Sequence, residues 1–186
     1  MATVHNTSLV PSKLELLTAW LPRQPWYRGS GTPELARAGG FRLDDPAGEV
    51  GIEFLIVTDT AGPDVAGYCV PMTYRDAALD SADDALIGTS EHGVLGKRYL
   101  YDGPSDPVLR AELLALVRGA ATAQAQTTSD APDPAVHVGV APEASEVDVV
   151  RVLTTSEGAP APGEVSVPWR LPDGQQVRGV IALVRR

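Results

Sequence analysis

Cysteine occurs once in the 186 residues, at Cys69. A lone thiol excludes an internal disulfide and any site built from several thiolates. Its neighbours Tyr68 and Val70 read as strand, so Cys69 is expected to be a small core residue. Aromatic residues make up only 5% of the chain. Basic runs are missing too: lysine occurs twice, no Lys/Arg run exceeds two residues, and 15 basic against 24 acidic residues leave a formal net charge of −9. A nucleic-acid binder needs a basic stripe to neutralise phosphates. The expectation is therefore no nucleic-acid partner, and no membrane partner either, since an anionic bilayer repels the same surface. No stretch approaches the about 18 consecutive apolar residues of a membrane span. The start of the chain, Met1 to Thr7, has neither the basic opening nor the apolar run of a secretory signal. A soluble, cytoplasmic protein is expected.

Catalytic signatures are scarce. No GxxxxGK phosphate loop occurs, and no GxGxxG precedes a helix; Gly29-Ser30-Gly31-Thr32 follows no strand, carries no lysine and reads as a turn. The histidines His5, His92 and His137 are not at metal-binding spacing, and no carboxylate pattern completes a site. His92, in Ser90-Glu91-His92-Gly93, has no nucleophile elbow beside it. It is expected to be a turn residue, with contact to a ligand or partner as the functional alternative. Carboxylates gather at Asp44-Asp45, Asp80, Asp83-Asp84 and Asp130 with Asp133, all in Gly/Pro/Ser-rich loops where solvated charge is the plain reading. The stretch from Asp80 to Asp84 lacks the glycine and distal glutamate of an EF-hand loop. Catalytic residues, metal ligands and cofactors are all expected to be none.

What is present is ordinary globular composition, 44% hydrophobic and 21% charged, punctuated by 18 Gly and 16 Pro. A chain of this length can bury roughly 70% of its unfolded surface. Ser12 and Glu15 match a capping box that opens a helix carrying Leu14, Leu17 and Leu21 on one face. Pro22 and Pro25 stop it. After a Gly/Pro-rich bend, Glu49 to Asp59 places Ile52, Phe54 and Ile56 on one face and Leu55 and Val57 on the other. Turn chemistry at 61–64 and the alternation from Ala66 to Tyr74 complete a hairpin, in which Pro71 suggests an edge or a bulge. A second pair runs through Leu86 to Ser90 and Lys97 to Tyr101. Asp106-Pro107 opens a second helix with the stripe Leu109, Leu113, Leu116 and Val117, ended by Gly119. The segment from Ala120 to Pro134 reads as a linker. Short strands at 136–140 and 147–153 precede a hairpin of 165–171 and 177–184 around Pro172-Asp173-Gly174. Two helices and seven or eight strands with hairpin connections predict an α+β fold on an antiparallel sheet.

One stretch is over-specified for a turn: Trp20-Leu21-Pro22-Arg23-Gln24-Pro25-Trp26-Tyr27. Trp, Tyr and Arg are enriched at interface hot spots, and stacked rings also suit sugar faces; the plainer reading is that both indoles cover the helix and sheet edge. The candidate interface or sugar platform comprises Trp20, Arg23, Gln24, Trp26, Tyr27 and His92. The pattern Trp20-Leu21-x-x-Gln24-x-Trp26-Tyr27 resembles the opening of the N-terminal cap domain of actinobacterial maltokinases, with Pro25 in place of the usual Arg. Ile87-Gly88-Thr89, Tyr101-Asp102 and the Leu-rich helix from Val108 to Val117 extend the similarity across roughly residues 10 to 120. Stand-alone cap-like proteins also fit Glu91-His92-Gly93-Val94-Leu95-Gly96.

The resemblance implies a cystatin-like cap, helices on a curved antiparallel sheet. Together with the residue pattern it gives one expected domain over 1–186: a cap-like core at 10–120, a linker at 120–134, and 135–186 as a β extension of the same sheet. In full maltokinases the cap precedes a kinase body that phosphorylates maltose with ATP. The catalytic loop and metal-binding motif of that body are not in this sequence, so no catalytic residue carries over. The readings are a stand-alone cap that binds a maltokinase-like kinase, another trehalose or α-glucan enzyme, or itself; a small carbohydrate-binding domain; and an accessory cap supplied in trans to a sugar kinase. A glucan-branching activity is not expected, because branching enzymes are built on barrels of eight βα units.

Overall fold

The computed structural model describes residues 9–80, 82–128 and 131–185. The readings of His5, Asp130, the first residues and Arg186 lie outside the described residues. The described residues form eleven strands and two α-helices: β1 (Leu9–Val10), α1 (Lys13–Trp20), β2 (Leu35–Leu43), β3 (Gly51–Asp59), β4 (Ala66–Arg75), β5 (Leu86–His92), β6 (Gly96–Asp102), α2 (Pro107–Val117), β7 (His137–Val138), β8 (Val147–Val149), β9 (Val152–Leu153), β10 (Glu164–Arg170) and β11 (Gln176–Val184). The α+β class and the antiparallel sheet are as the sequence predicts, and the sheet is strongly curled.

That sheet follows the order β1-β5-β6-β4-β3-β2, with β9 added to β4. Strand β3 is buried on both sides, because both of its faces are apolar. Leu55 and Val57 pack with Tyr68, Val70, Met72 and, from α1 and the turn after it, Leu17, Trp20 and Leu21. Ile52, Phe54 and Ile56 pack with Phe41, Leu43 and the α2 stripe Leu109, Leu113, Leu116 and Val117. A one-residue slip of β3 would exchange these two sets, so each face fixes the register of the other. Phe41 and Phe54, paired across β2 and β3, stack at 4.6 Å with their planes 7° apart.

Helix ends obey the local chemistry. Glu15 N–H donates to Ser12 Oγ at 3.3 Å and Ser12 N–H donates to Glu15 Oε2 at 2.7 Å, the reciprocal box. Asp106 accepts from Val108 N–H at 2.9 Å with Pro107 in the first turn, and Gly119 adopts φ +77° just past the end of α2. Asp106 also holds Arg75 of β4 by two bonds of 2.7 and 2.8 Å, which ties α2 to the sheet.

Four expectations change. The hairpin of β10 and β11 does not extend the first sheet; it forms a second one, ordered β7-β10-β11-β8. Its Val165, Val167, Trp169, Ile181 and Ala182 join the Phe54 core, so the second sheet covers an apolar face instead of lengthening an edge. Gly39 permits the close approach, since a Cβ there would lie 2.9 Å from the Pro168 carbonyl oxygen. The expected strand at 147–153 is two strands: β8 pairs with β11 and β9 pairs with β4, so the chain changes sheets at Val150-Arg151.

Strand β2 was absent from the sequence reading, its Leu-Ala-Arg-Ala-Gly-Gly start masking the alternation; a register shift falls between Arg37 and Gly39. Pro71 sits neither at a sheet edge nor in a bulge. On the side of β4 away from β3, β9 pairs at Gly67 and Tyr68 and β6 pairs from Met72 onward, so Pro71 faces a gap between them where a missing N–H breaks no ladder. The supposed linker is also partly anchored. Arg42 and Gln124 exchange backbone bonds of 2.9 and 2.8 Å, Ala123 is buried, and Gln126 Nε2 donates to Glu53 Oε1 at 2.9 Å.

Candidate functional site

The Trp20 to Tyr27 segment leaves α1 through a 3-10 turn at Leu21–Arg23 and crosses the outside of β4. Its rings are held by packing. Trp20 is 2% exposed. Trp26 is half-buried; it meets Trp20 edge-on at 5.8 Å and tilts against Tyr68 at 5.9 Å. Tyr27 tilts against Tyr68 at 5.6 Å and donates its hydroxyl to Asp59 Oδ2 at 2.8 Å. Tyr68 Oη in turn accepts Arg28 N–H at 3.2 Å. Burial and the Asp59 carboxylate push the Tyr27 phenol up to about 12. Gln24 Nε2 reaches back to the Trp20 carbonyl at 3.3 Å, while Arg23 is exposed.

The gap facing Pro71 is closed from the sides by charge. Arg151, beside β9, donates Nη2 to Oδ2 of Asp102, at the end of β6, at 2.6 Å. The Arg151 guanidinium lies 5.0 Å from the centre of the Trp26 ring. Burial raises the Asp102 carboxyl, and Arg151 offsets this only in part. The outer atoms of the pair, Asp102 Oδ1 and Arg151 Nη1, are buried without a hydrogen-bond partner among the described residues. A shallow groove of about 240 Å³ opens beside Asp102, between Trp20 and Gln24 on one side and Ala82, Asp84 and Ala85 on the other.

The structure therefore brings five of the six candidate residues together, Trp20, Arg23, Gln24, Trp26 and Tyr27. His92 is elsewhere. It sits opposite Gly96 at the far end of the β5–β6 hairpin, and the six steps along β6 from Gly96 to Asp102 span about 20 Å. There His92 Nδ1 accepts from Val94 and Leu95 N–H at 3.2 and 3.1 Å, the geometry of a turn residue. The sequence reading missed Arg151, Tyr68 and Asp59. An arginine inside the apolar run Val149-Val150-Arg151-Val152-Leu153 was the available signal, because a strand charge so placed needs a partner. Cys69 is buried as expected, and that burial pushes its thiol up to about 12. Among the described residues no group of three or more His, Cys, Asp or Glu is placed to hold a metal ion, and no helix is long and apolar enough to cross a membrane.

A curled antiparallel sheet with one helix on each face, and a Trp/Tyr segment pinned across its central strands, defines an α+β module. Residues 20–106 match the model of the maltokinase N-terminal cap domain, and over that stretch the chain is similar to such caps. The match opens at Trp20 and closes at Asp106, so it contains the whole aromatic segment, β2 to β6 and Asp102. Arg151 and the second sheet fall outside it. No curated protein matches the chain.

Proposed function

We propose that this chain is a non-catalytic binding module, a cap that docks onto a partner protein of trehalose or α-glucan metabolism, and that the Trp20 to Arg28 segment is its docking face. The observation that carries the reading is the half-exposed Trp26 ring in a segment bearing exposed Arg23, Pro25 and Arg28. Prolines and core-packed indoles fix that segment before any partner arrives, so docking costs little ordering entropy. Central Trp and Arg are the side chains that dominate binding energy at such surfaces. A maltokinase-like kinase served by a cap in trans is the partner class that fits the cap-domain match.

A carbohydrate platform is the second reading, and the groove beside Asp102 favours it: carboxylate, amide and indole groups converge there. Against it, Trp20 has almost no free face, and Trp26 has Arg151 above its ring.

The test is surface plasmon resonance on the immobilised full chain. A maltokinase-like kinase lacking its own cap is expected to bind, and Trp26→Ala to abolish the response. Binding of maltose, trehalose or glycogen with no response to the kinase would replace the first reading by the second. ATP-dependent maltose phosphorylation by the purified chain alone would overturn both.

A further inference from the structure

The docking face carries two lips of opposite sign. Arg23, next to Gln24 of the groove wall, and Arg28, further along the same segment beside Tyr68, are exposed and make no ion pair among the described residues. They belong to a segment, 20–42, with four arginines and one glutamate, in a chain whose formal net charge is −9. On the other side of the groove, the 3-10 turn Asp83–Ala85 presents exposed Asp83 and Asp84, with exposed Asp76 and Asp80 in the same loop. These four aspartates are likewise without an ion pair among the described residues. Gln24, next to Arg23, and Asp84 line the same groove.

We infer that this face pairs with a second copy of the chain about a two-fold axis, Arg23 and Arg28 of each copy meeting Asp83 and Asp84 of the other across the two facing grooves. A two-fold interface is self-complementary: when one patch meets another, the reverse contact forms as well. A face with a positive lip beside a negative lip satisfies that condition at both contacts simultaneously. Two copies at −9 each repel one another at long range, so only local complementarity of this kind brings them together. The half-exposed Trp26 ring supplies the apolar contact behind the arginine lip. A purely acidic partner would engage the arginines and leave the aspartate lip unused; a basic partner would do the reverse.

This inference rests on the docking-face reading but is separable from it. Sedimentation velocity of the full chain at about 100 µM, where a micromolar interface is saturated, is expected to show a dimer. The double reversal Arg23→Glu/Arg28→Glu and the double reversal Asp83→Arg/Asp84→Arg should each weaken self-association at least tenfold, about 1.4 kcal/mol. Their melting curves, taken dilute enough for the parent chain to be monomeric, should match the parent's, because these side chains are exposed. Mixing the two reversed variants one to one should restore a dimer, now a heterodimer, because every contact is again between opposite charges. A monomeric parent chain, a dimer indifferent to either reversal, or a failure of the mixed variants to pair would each overturn the inference. Kinase binding by the parent chain in any of those outcomes would leave the docking-face reading standing, and its absence alongside a two-fold dimer would remove the kinase and keep the self-pairing.

Discussion

At the scale of single residues, Trp26 has two duties, and they separate experimentally. Its ring touches Trp20, Tyr68 and the Arg151 guanidinium. Truncation to alanine removes these contacts at a half-exposed position, so the expected cost is about 2 kcal/mol, below the 3–5 kcal/mol of a fully buried Trp or Phe. Urea unfolding of Trp26→Ala measures it. A loss beyond about 4 kcal/mol would make Trp26 a core residue only, and a loss near zero would mean the ring is not packed as described. Acid and alkali act on different residues. Burial alone would raise the Glu53 carboxyl, but Lys13 at 2.6 Å, the Tyr74 hydroxyl and Arg37 hold it below the usual carboxylate range. Asp106 is likewise lowered: burial works against it, and Arg75 and the Val108 N–H prevail. A depressed carboxyl stabilises the fold above its unfolded pKa, and that contribution fades as pH falls through the folded pKa. Stability is therefore expected to drop below about pH 4. For Tyr27 the sign reverses. Its folded pKa of about 12 exceeds the ordinary phenol value of 10.0, so its contribution is complete below pH 10.0 and lost as pH climbs from there towards 12. Tyr27→Phe should make the alkaline arm of a melting-temperature profile shallower, the buried Cys69 thiol and Tyr74 phenol keeping the remainder, and leave the acid arm intact; an unchanged alkaline arm would remove Tyr27 from the account.

At the scale of elements, legibility followed locality. Both helices were readable because their signals sit within a few residues of each other: Ser12 with Glu15, and Asp106 with Pro107 and the Leu109, Leu113, Leu116 stripe. The hairpin turns were readable for the same reason. Strand β2 was not, because Ala36, Ala38, Gly39 and Gly40 carry little hydrophobic signal, and the small residues make sense only once Pro168 and Gln126 are seen against them. Which sheet a strand joins was equally hidden. Strands β8 and β9 are two halves of one apolar run, and only the partners on β11 and β4 divide them. The 120–134 segment looked like a linker because its apolar content is low, yet its anchors are backbone bonds to Arg42 and one side-chain bond to buried Glu53, neither of which shows in hydropathy. Gly40 marks where this strap crosses β2. It adopts φ +135°, and a Cβ would come 2.1 Å from the Phe54 carbonyl oxygen and 2.7 Å from Gln126 Nε2. Gly40→Ala is thus expected to cost at least about 2 kcal/mol, from backbone strain and a broken β2–β3 contact. Gln126→Ala should cost about 1 kcal/mol and speed proteolysis within 120–134, read as the rate of first cleavage by a protease of broad specificity. Slower or unaltered cleavage would show that the Glu53 bond does not hold the strap.

At the scale of the molecule, the cap-domain match and the apolar core have different boundaries. The match ends at Asp106. The Ile52, Phe54 and Ile56 face of the sheet, however, is covered by residues that come later: Leu109 and Leu113 from α2, and Val165, Val167, Trp169 and Ile181 from the second sheet. Trp169 is 4% exposed and sits over Gly67, where a Cβ would lie 2.9 Å from the indole, so the second sheet reaches the central strands and not only their rim. Arg151 makes the same connection in polar terms, holding Asp102 and covering Trp26 from a position 45 residues beyond the match. A chain cut at residue 120 keeps the whole aromatic segment and every strand of the match, yet it exposes a large apolar face and leaves Asp102 buried without its cation. Large exposed apolar patches drive association instead of folding. The expected outcome is that residues 1–120 lack a cooperative unfolding transition and bind a hydrophobic dye, whereas adding residues 121–186 as a separate chain restores both the transition and the Trp26 fluorescence environment. Were 1–120 to melt cooperatively by itself, the second sheet would be an appendage, and the docking face would owe nothing to Arg151.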